Sequence, residues 1–179
     1  RSRGLGDVYK RQSYGFVNLT FEFVLLPLAI VAMFAGSITA IFQTNAKRLF
    51  AYSSVAQLGY MMLGVALSNI PGLMATILHI FNHALMKGAL FMALGCVMYR
   101  LGTVSLGSMK GLGRSMPWTM GALILGGLSL IGVPGTVGFI SKWHLILGTL
   151  EAGFWPIAIL IVASSLLAVI YIWKIVEVA

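Results

Sequence analysis

The sequence predicts an all-α fold, a polytopic transmembrane helix bundle of about five spans whose fourth span is discontinuous. Three observations predict it. Of 179 residues, 59% are hydrophobic and only 9% charged, with mean hydropathy +0.97, whereas soluble domains carry about 25% charged residues. Several apolar runs approach the roughly 20 residues a helix needs to cross ~30 Å of hydrocarbon. The positive charges gather where those runs end, as they do beside membrane spans.

The elements follow in order. Residues 1–12, "RSRGLGDVYKRQ", are polar and basic and lack the apolar core of a signal peptide. They read as a foreign, adapter-like tail, leaving 13–179 as the transmembrane domain. The first span is expected at 18–43, ending at "QTNAKR", and the second at 49–67, ending at "SNIPG". Pro71 suits the first turn of a third helix reaching 100, because a proline there gives up no intrahelical donor. A Gly/Ser-rich loop, "LGTVSLGSMKGLGRSMP", leads to the fourth span, and the fifth covers 154–176. The fourth span, 116–147, is 32 residues long, or ~48 Å as one helix, too long for the hydrocarbon. In its middle lies "GVPGTVG", from Gly132 to Gly138. Pro134 removes a donor there and the glycines ease unwinding, so an interruption is expected. Interrupted helices often mark ion sites in transporters, whereas a plain proline kink would carry no function.

Six of the twelve basic residues (Lys47, Arg48, Arg100, Lys110, Arg114 and Lys174) fall on one side of this topology. The opposite turns, "SNIPG" and "GTLEAGF", hold none. That asymmetry assigns the basic side to the cytoplasm and explains the net charge of +8 without nucleic acid. The tail's four positive charges would sit on the wrong side. Cys96, the single cysteine, forms no intramolecular disulfide. Acids are scarce, with Glu22, Glu151 and Glu177 near span ends or loops, so the acidic rings of a cation pore are missing.

Lys87 and Lys142 are left over, and both fall inside spans. In "HIFNHALMK", His79, His83 and Lys87 are four residues apart, so each advances about 400° and all three share one helix face. A lysine at the bilayer centre costs about 2.5–3.5 kcal/mol on insertion scales, so Lys87 should face the bundle and a polar partner. Imidazole donates and accepts, and its ordinary pKa of about 6.5 suits transient protonation. One such group would read as packing, but three on one membrane face read as a proton path. A metal held by the His pair is disfavoured, since no carboxylate or thiolate lies close by. Lys142 follows the break by two turns, with His144 on a different face; an interfacial lysine beside Trp143 is its plainer reading. Tyr52, Ser53, Ser54, Gln57 and Tyr60 of the second span either hydrate a path or only join helices.

The runs "QTNAKRLFAYSSVAQLGYMMLGVALSN", "HIFNHALMKGALFMALG" and "LSLIGVPGTVGFISKWHLILG" together resemble one family. It comprises the proton-translocating antiporter-like subunits of respiratory complex I (NADH-quinone oxidoreductase), membrane-bound hydrogenases and Mrp-type cation/proton antiporters. The details "LMKGALFMALG" and "GFISKWHLILGTLEAGFWP" look nearest to the D-type branch of the Mrp antiporters. The resemblance implies two inverted five-helix repeats in a full member, each with a broken helix, of which this chain matches the second. On that basis it is expected to be a fragment unable to transport alone. The family's central protonatable positions match His79, His83 and Lys87, its broken-helix lysine matches Lys142, and its loop lysine matches Lys47, read as a structural anchor. Many members place an acid just after the broken-helix lysine; Trp143 and His144 stand here instead, which leaves the exit route open.

The implied function is proton translocation or cation/proton antiport within a multisubunit complex, through His79, His83, Lys87 and Lys142. Two alternatives stand beside it: a pumping subunit of complex I or a hydrogenase, and a structural subunit that transports nothing. A transporter subunit is favoured over an enzyme, with translocase status only inside a complex I-like assembly. No cofactor or metal is implied. The expected partners are other membrane subunits, the lipid bilayer, protons and a monovalent cation, in a bacterial inner membrane.

Overall fold

The computed structural model describes the backbone of residues 5–178 and the side chains of 23–178. The expected tail and Glu22 lie outside the described side chains. The described elements are α1 (Leu5–Ile41), α2 (Ala46–Ala66), α3 (Ile70–Leu101), a 3-10 turn at Leu106–Met109, the short α4 (Leu112–Ser115), α5 (Pro117–Ile131), α6 (Val137–Glu151) and α7 (Trp155–Val178). Four stretches are long and apolar enough to cross a membrane: Phe23–Ile41, Ala46–Ala66, Ile70–Leu101 and Trp155–Val178. The chain is an integral, multi-pass membrane protein. α5 and α6 have 15 residues each, ~22 Å apiece, so neither crosses ~30 Å of hydrocarbon alone and together they form the interrupted span.

Local chemistry sets the boundaries. Asn45 caps α2, its side-chain oxygen accepting from the amides of Lys47 and Arg48. Asn69 caps α3 by accepting from Gly72 N–H at 2.8 Å, and Pro71 occupies the first turn. Gly132 ends α5 in the left-handed region at φ 89°, where a side chain would be strained. The interruption covers 132–136, two residues shorter than expected, because Val137 and Gly138 already belong to α6. Gly138 is needed for space. A Cβ there would collide with the Ser129 carbonyl, so the half-helices touch backbone to backbone. Gly36 and Gly59 allow the same close approach between α1 and α2.

The interior has three levels. One apolar cluster joins Leu49, Phe50, Leu90, Leu94, Leu130, Tyr171 and Ile175 with the loop residues Leu106 and Met109. A second joins Ala29, Met33, Leu63, Ala75, Leu145 and Ile161. Between them in chain order lie buried polar side chains: Ser53 and Gln57 on α2, His79, Asn82 and Lys87 on α3, Ser141 and Lys142 on α6, and Ser164 on α7. α2, α3 and α7 thus read apolar, polar, apolar, and packing α6 with them builds a polar layer between the two clusters.

The basic-loop end is pinned separately. Leu106 N–H donates to the Thr44 carbonyl and Ala46 N–H to the Val104 carbonyl, pairing the Gly/Ser loop with the α1–α2 turn. Lys174 on α7 donates to the carbonyls of Ile41 (3.0 Å) and Gln43 (3.1 Å), capping the C-terminal end of α1.

Gly138→Ala should destabilise by more than the about 1–3 kcal/mol of ordinary overpacking. Gly88→Ala, where a Cβ meets nothing within 4 Å, should be neutral or slightly stabilising. Melting of both variants in detergent checks the pair, and equal midpoints would contradict the contact.

Candidate functional site

The polar layer holds three of the four predicted residues, His79, Lys87 and Lys142, each bonded to neutral groups, and the partly buried His83 stacks on His79. Long helical side chains lean toward their own N-terminus. Lys142, in the second turn of α6, therefore reaches back across the interruption. Its Nζ donates to the carbonyls of Leu130 (3.0 Å) and Ile131 (2.7 Å), the last residues of α5, and to Ser165 Oγ on α7 (3.1 Å). The ammonium also lies 4.7 Å from the Tyr60 ring centroid. It is buried, with 5% of its surface exposed, so the interfacial alternative fails. A cation thus sits where the α5 dipole is negative and its carbonyls have lost their helical donors.

Lys87 is also buried and points at α2. Its Nζ donates to the Phe50 carbonyl (2.5 Å) and Ser53 Oγ (2.6 Å), within 5.3 and 5.9 Å of the Phe50 and Phe91 ring centroids. The aromatic faces supply cation–π contact to an ammonium held away from water.

His79 bridges three helices. Its Nε2 meets Gln57 Oε1 on α2 at 2.9 Å, and its Nδ1 meets Ser141 Oγ on α6 at 2.8 Å. With Gln57 Oε1 as acceptor, Nε2 carries the proton, and Nδ1 of the neutral ring accepts from Ser141. Ser141 has a second acceptor, the Gly138 carbonyl at 3.2 Å. A doubly protonated His79 would turn that hydroxyl proton away, toward the first turn after the break. The ring state of His79 is thereby coupled to the hydrogen bonding of α6.

His83 stacks on His79, with centroids 6.1 Å apart and planes 8° apart. Its Nδ1 is buried and makes no hydrogen bond among the described residues. Asn82, between the two histidines, donates to the Val137 carbonyl at 2.8 Å and so sets the register of α3 on α6. His144 is half-buried and takes no part in these contacts. Lys47 is exposed at the start of α2, its amide bonded to Asn45.

Of the α2 polar set, Ser53, Gln57 and Tyr60 face the layer; Ser54 bonds its own helix at the Phe50 carbonyl, and Tyr52 faces outward. Sequence reasoning missed Ser141, Asn82 and Ser165. The Ser164–Ser165 pair in the otherwise apolar run of α7 was the available signal, since polar pairs inside a span need partners.

Lys142→Ala should leave the Leu130 and Ile131 carbonyls without their donor, at about 1–3 kcal/mol per orphaned group. The expected result is a lower melting midpoint and faster amide exchange over 132–136, read by hydrogen–deuterium exchange. Unchanged exchange would mean the interruption holds without the lysine.

The profile of the family described as "NADH:quinone oxidoreductase/Mrp antiporter, TM" matches residues 9–168. The chain is similar to NADH-quinone oxidoreductase subunit N of Desulforudis audaxviator, at 45% identity over 93% of this chain and 33% of that protein. It is also similar to F(420)H(2) dehydrogenase subunit N of Methanosarcina mazei, at 31% identity over 88% of this chain and 34% of the relative. Among solved structures, the Mrp complex from Dietzia sp. DQ12-45-1b matches with TM-score 0.83 and 33% identity, over 88% of this chain and 29% of that one. Respiratory complex I from Thermus thermophilus with bound Aureothin matches with TM-score 0.73 and 29% identity, over 86% of this chain and 35% of that one. The chain spans about a third of the length of the curated relatives it matches.

Proposed function

The chain belongs to the NADH:quinone oxidoreductase/Mrp antiporter membrane family, and from that premise we propose that it carries protons through a membrane as part of a multisubunit assembly. One observation carries the proposal: His79, Lys87 and Lys142 lie buried between two apolar clusters, each bonded to neutral side chains that can donate and accept, with His83 stacked on His79. His79, His83 and Lys87 form the rising limb on α3, and Lys142 is the station at the interrupted span. His79 and Ser141 provide the step between the limbs, because Ser141 precedes Lys142 in the chain. The interaction between stations is electrostatic: a proton on one group disfavours a proton on its neighbour, so occupancy alternates.

The basic loops at Lys47, Arg48, Arg100, Lys110, Arg114 and Lys174 support a cytoplasmic assignment for that side, and a bacterial inner membrane as the location. The partners are other membrane subunits of the assembly. Two drives are compatible with this layer, and each has an observation behind it. The 45% identity to a subunit N of an NADH-quinone oxidoreductase supports redox-driven pumping. The likeness to the Mrp complex supports exchange of protons against a monovalent cation. Dependence of flux on sodium or potassium separates them.

In vesicles holding the complete assembly, Lys87→Ala should reduce proton flux by at least about a hundredfold, the scale of losing one positioned proton-transfer group. Subunit content on a native gel should stay unchanged. Wild-type flux from Lys87→Ala would make the α3 stripe structural.

A further inference from the structure

His79 is bonded at both ring nitrogens, and the two partners are not equivalent. Nδ1 meets the Ser141 hydroxyl at 2.8 Å, and Nε2 meets Gln57 Oε1 at 2.9 Å. All three side chains are buried. A hydroxyl can release its proton while taking another, so it hands protons on. An amide oxygen accepts a hydrogen bond and goes no further. The Nε2 side of the ring is therefore closed. His83 offers no third way, because it stacks on the ring face, where there is neither a lone pair nor an N–H.

Ser141 decides which nitrogen carries the ring proton. Its hydroxyl has one proton and two acceptors, Nδ1 at 2.8 Å and the Gly138 carbonyl at 3.2 Å. The shorter contact takes the proton. Nδ1 then has none of its own, and the ring proton sits on Nε2, facing the Gln57 oxygen. Turning the amide nitrogen to the ring would put the proton on Nδ1 and send the serine proton over the longer contact. Tyr60, one turn beyond Gln57 on α2, tilts against the same ring at 5.9 Å and steadies it from that side.

We propose that Gln57 is a positioning residue: it fixes the His79 proton on Nε2, so that the ring loads and unloads through Nδ1 and Ser141 alone. The proposal rests on the proton-carrying reading of the layer. Loading moves the Ser141 hydroxyl proton onto Nδ1, and the serine oxygen takes a replacement from the Lys142 ammonium through one water. The water and the hydroxyl each gain one proton and lose one, so Lys142 ends neutral and His79 charged. Unloading is the reverse. The titratable groups around the ring are His83 on α3, Tyr60 on α2 and Lys142 on α6, and Nε2 is bonded to none of them.

The test uses the complete assembly in lipid vesicles, with isotopically labelled histidine. Solid-state nitrogen spectra separate the two neutral tautomers from the doubly protonated ring, and His79→Ala identifies the His79 signal by its loss. Wild type should show His79 protonated on Nε2; the Nδ1 tautomer would overturn the proposal. Gln57→Glu sets a carboxylate against Nε2, which favours the doubly protonated ring. Unloading then needs a higher pH, so the profile of proton flux against pH should move at least about one pH unit to the alkaline side. Gln57→Leu removes the acceptor and should give mixed tautomers with flux lowered several-fold. A lower melting midpoint with tautomer and pH profile unmoved in both variants would make Gln57 a packing residue and overturn the proposal. Flux retained in Lys87→Ala would overturn the proton-carrying reading instead, a result on which the wild-type tautomer does not depend.

Discussion

A backbone carbonyl without a donor is not tolerated in hydrocarbon, and the interrupted span creates two of them in the middle of the bundle. Leu130 and Ile131 end α5 where the helix can no longer supply amides, and the Lys142 ammonium takes both. Much of the bundle's geometry follows from that pairing. Lys142 must come from α6, so α6 must begin close to where α5 stops, which places Gly138 against the Ser129 carbonyl. Ser165 and the Tyr60 face complete the ammonium's surroundings and draw α7 and α2 to the same point. A lysine that would be a liability elsewhere in a membrane here satisfies the backbone.

The rest of the interior is organised to keep that arrangement dry at its ends and polar at its centre. The apolar clusters above and below use ordinary packing of Leu, Ile, Met and Phe. The layer between them contains no carboxylate among its described buried residues. The two lysines are therefore held on carbonyls, hydroxyls and aromatic faces and not in a fixed ion pair. Lys174 repeats the same device at the basic-loop end, where an ammonium caps the last carbonyls of α1.

Much of this was legible in the chain. Five spans follow from apolar length, and the interruption from Pro134 set among glycines. The shared face of His79, His83 and Lys87 follows from spacing alone. What could not be read depended on partners brought from elsewhere. The depth of Lys142 was open because an interrupted helix has no fixed rise per residue, so an interfacial position fitted equally well. The interruption looked two residues too long because Gly138 resembles a turn glycine, whereas it is small to allow contact with α5. Ser53, Gln57, Asn82, Ser141 and Ser165 carry no charge, and an uncharged polar group in a span declares neither its depth nor its facing. Their roles appear only once the helices are packed. The adapter-like reading of residues 1–12 lies outside the described side chains.

The stripe on α3 is a ladder, and a ladder in a membrane has a voltage across it. From Lys87 to His79 is eight residues, ~12 Å of rise, or about two-fifths of a ~30 Å hydrocarbon layer. In a uniform field a proton climbing it crosses as much as about 0.9 kcal/mol per 100 mV, given ~2.3 kcal/mol for the full thickness. That is roughly a fivefold change in the ratio of occupancies at the two ends. If the bundle relays protons along this helix as proposed, it also senses the membrane potential: as the voltage changes, occupancy shifts along the ladder.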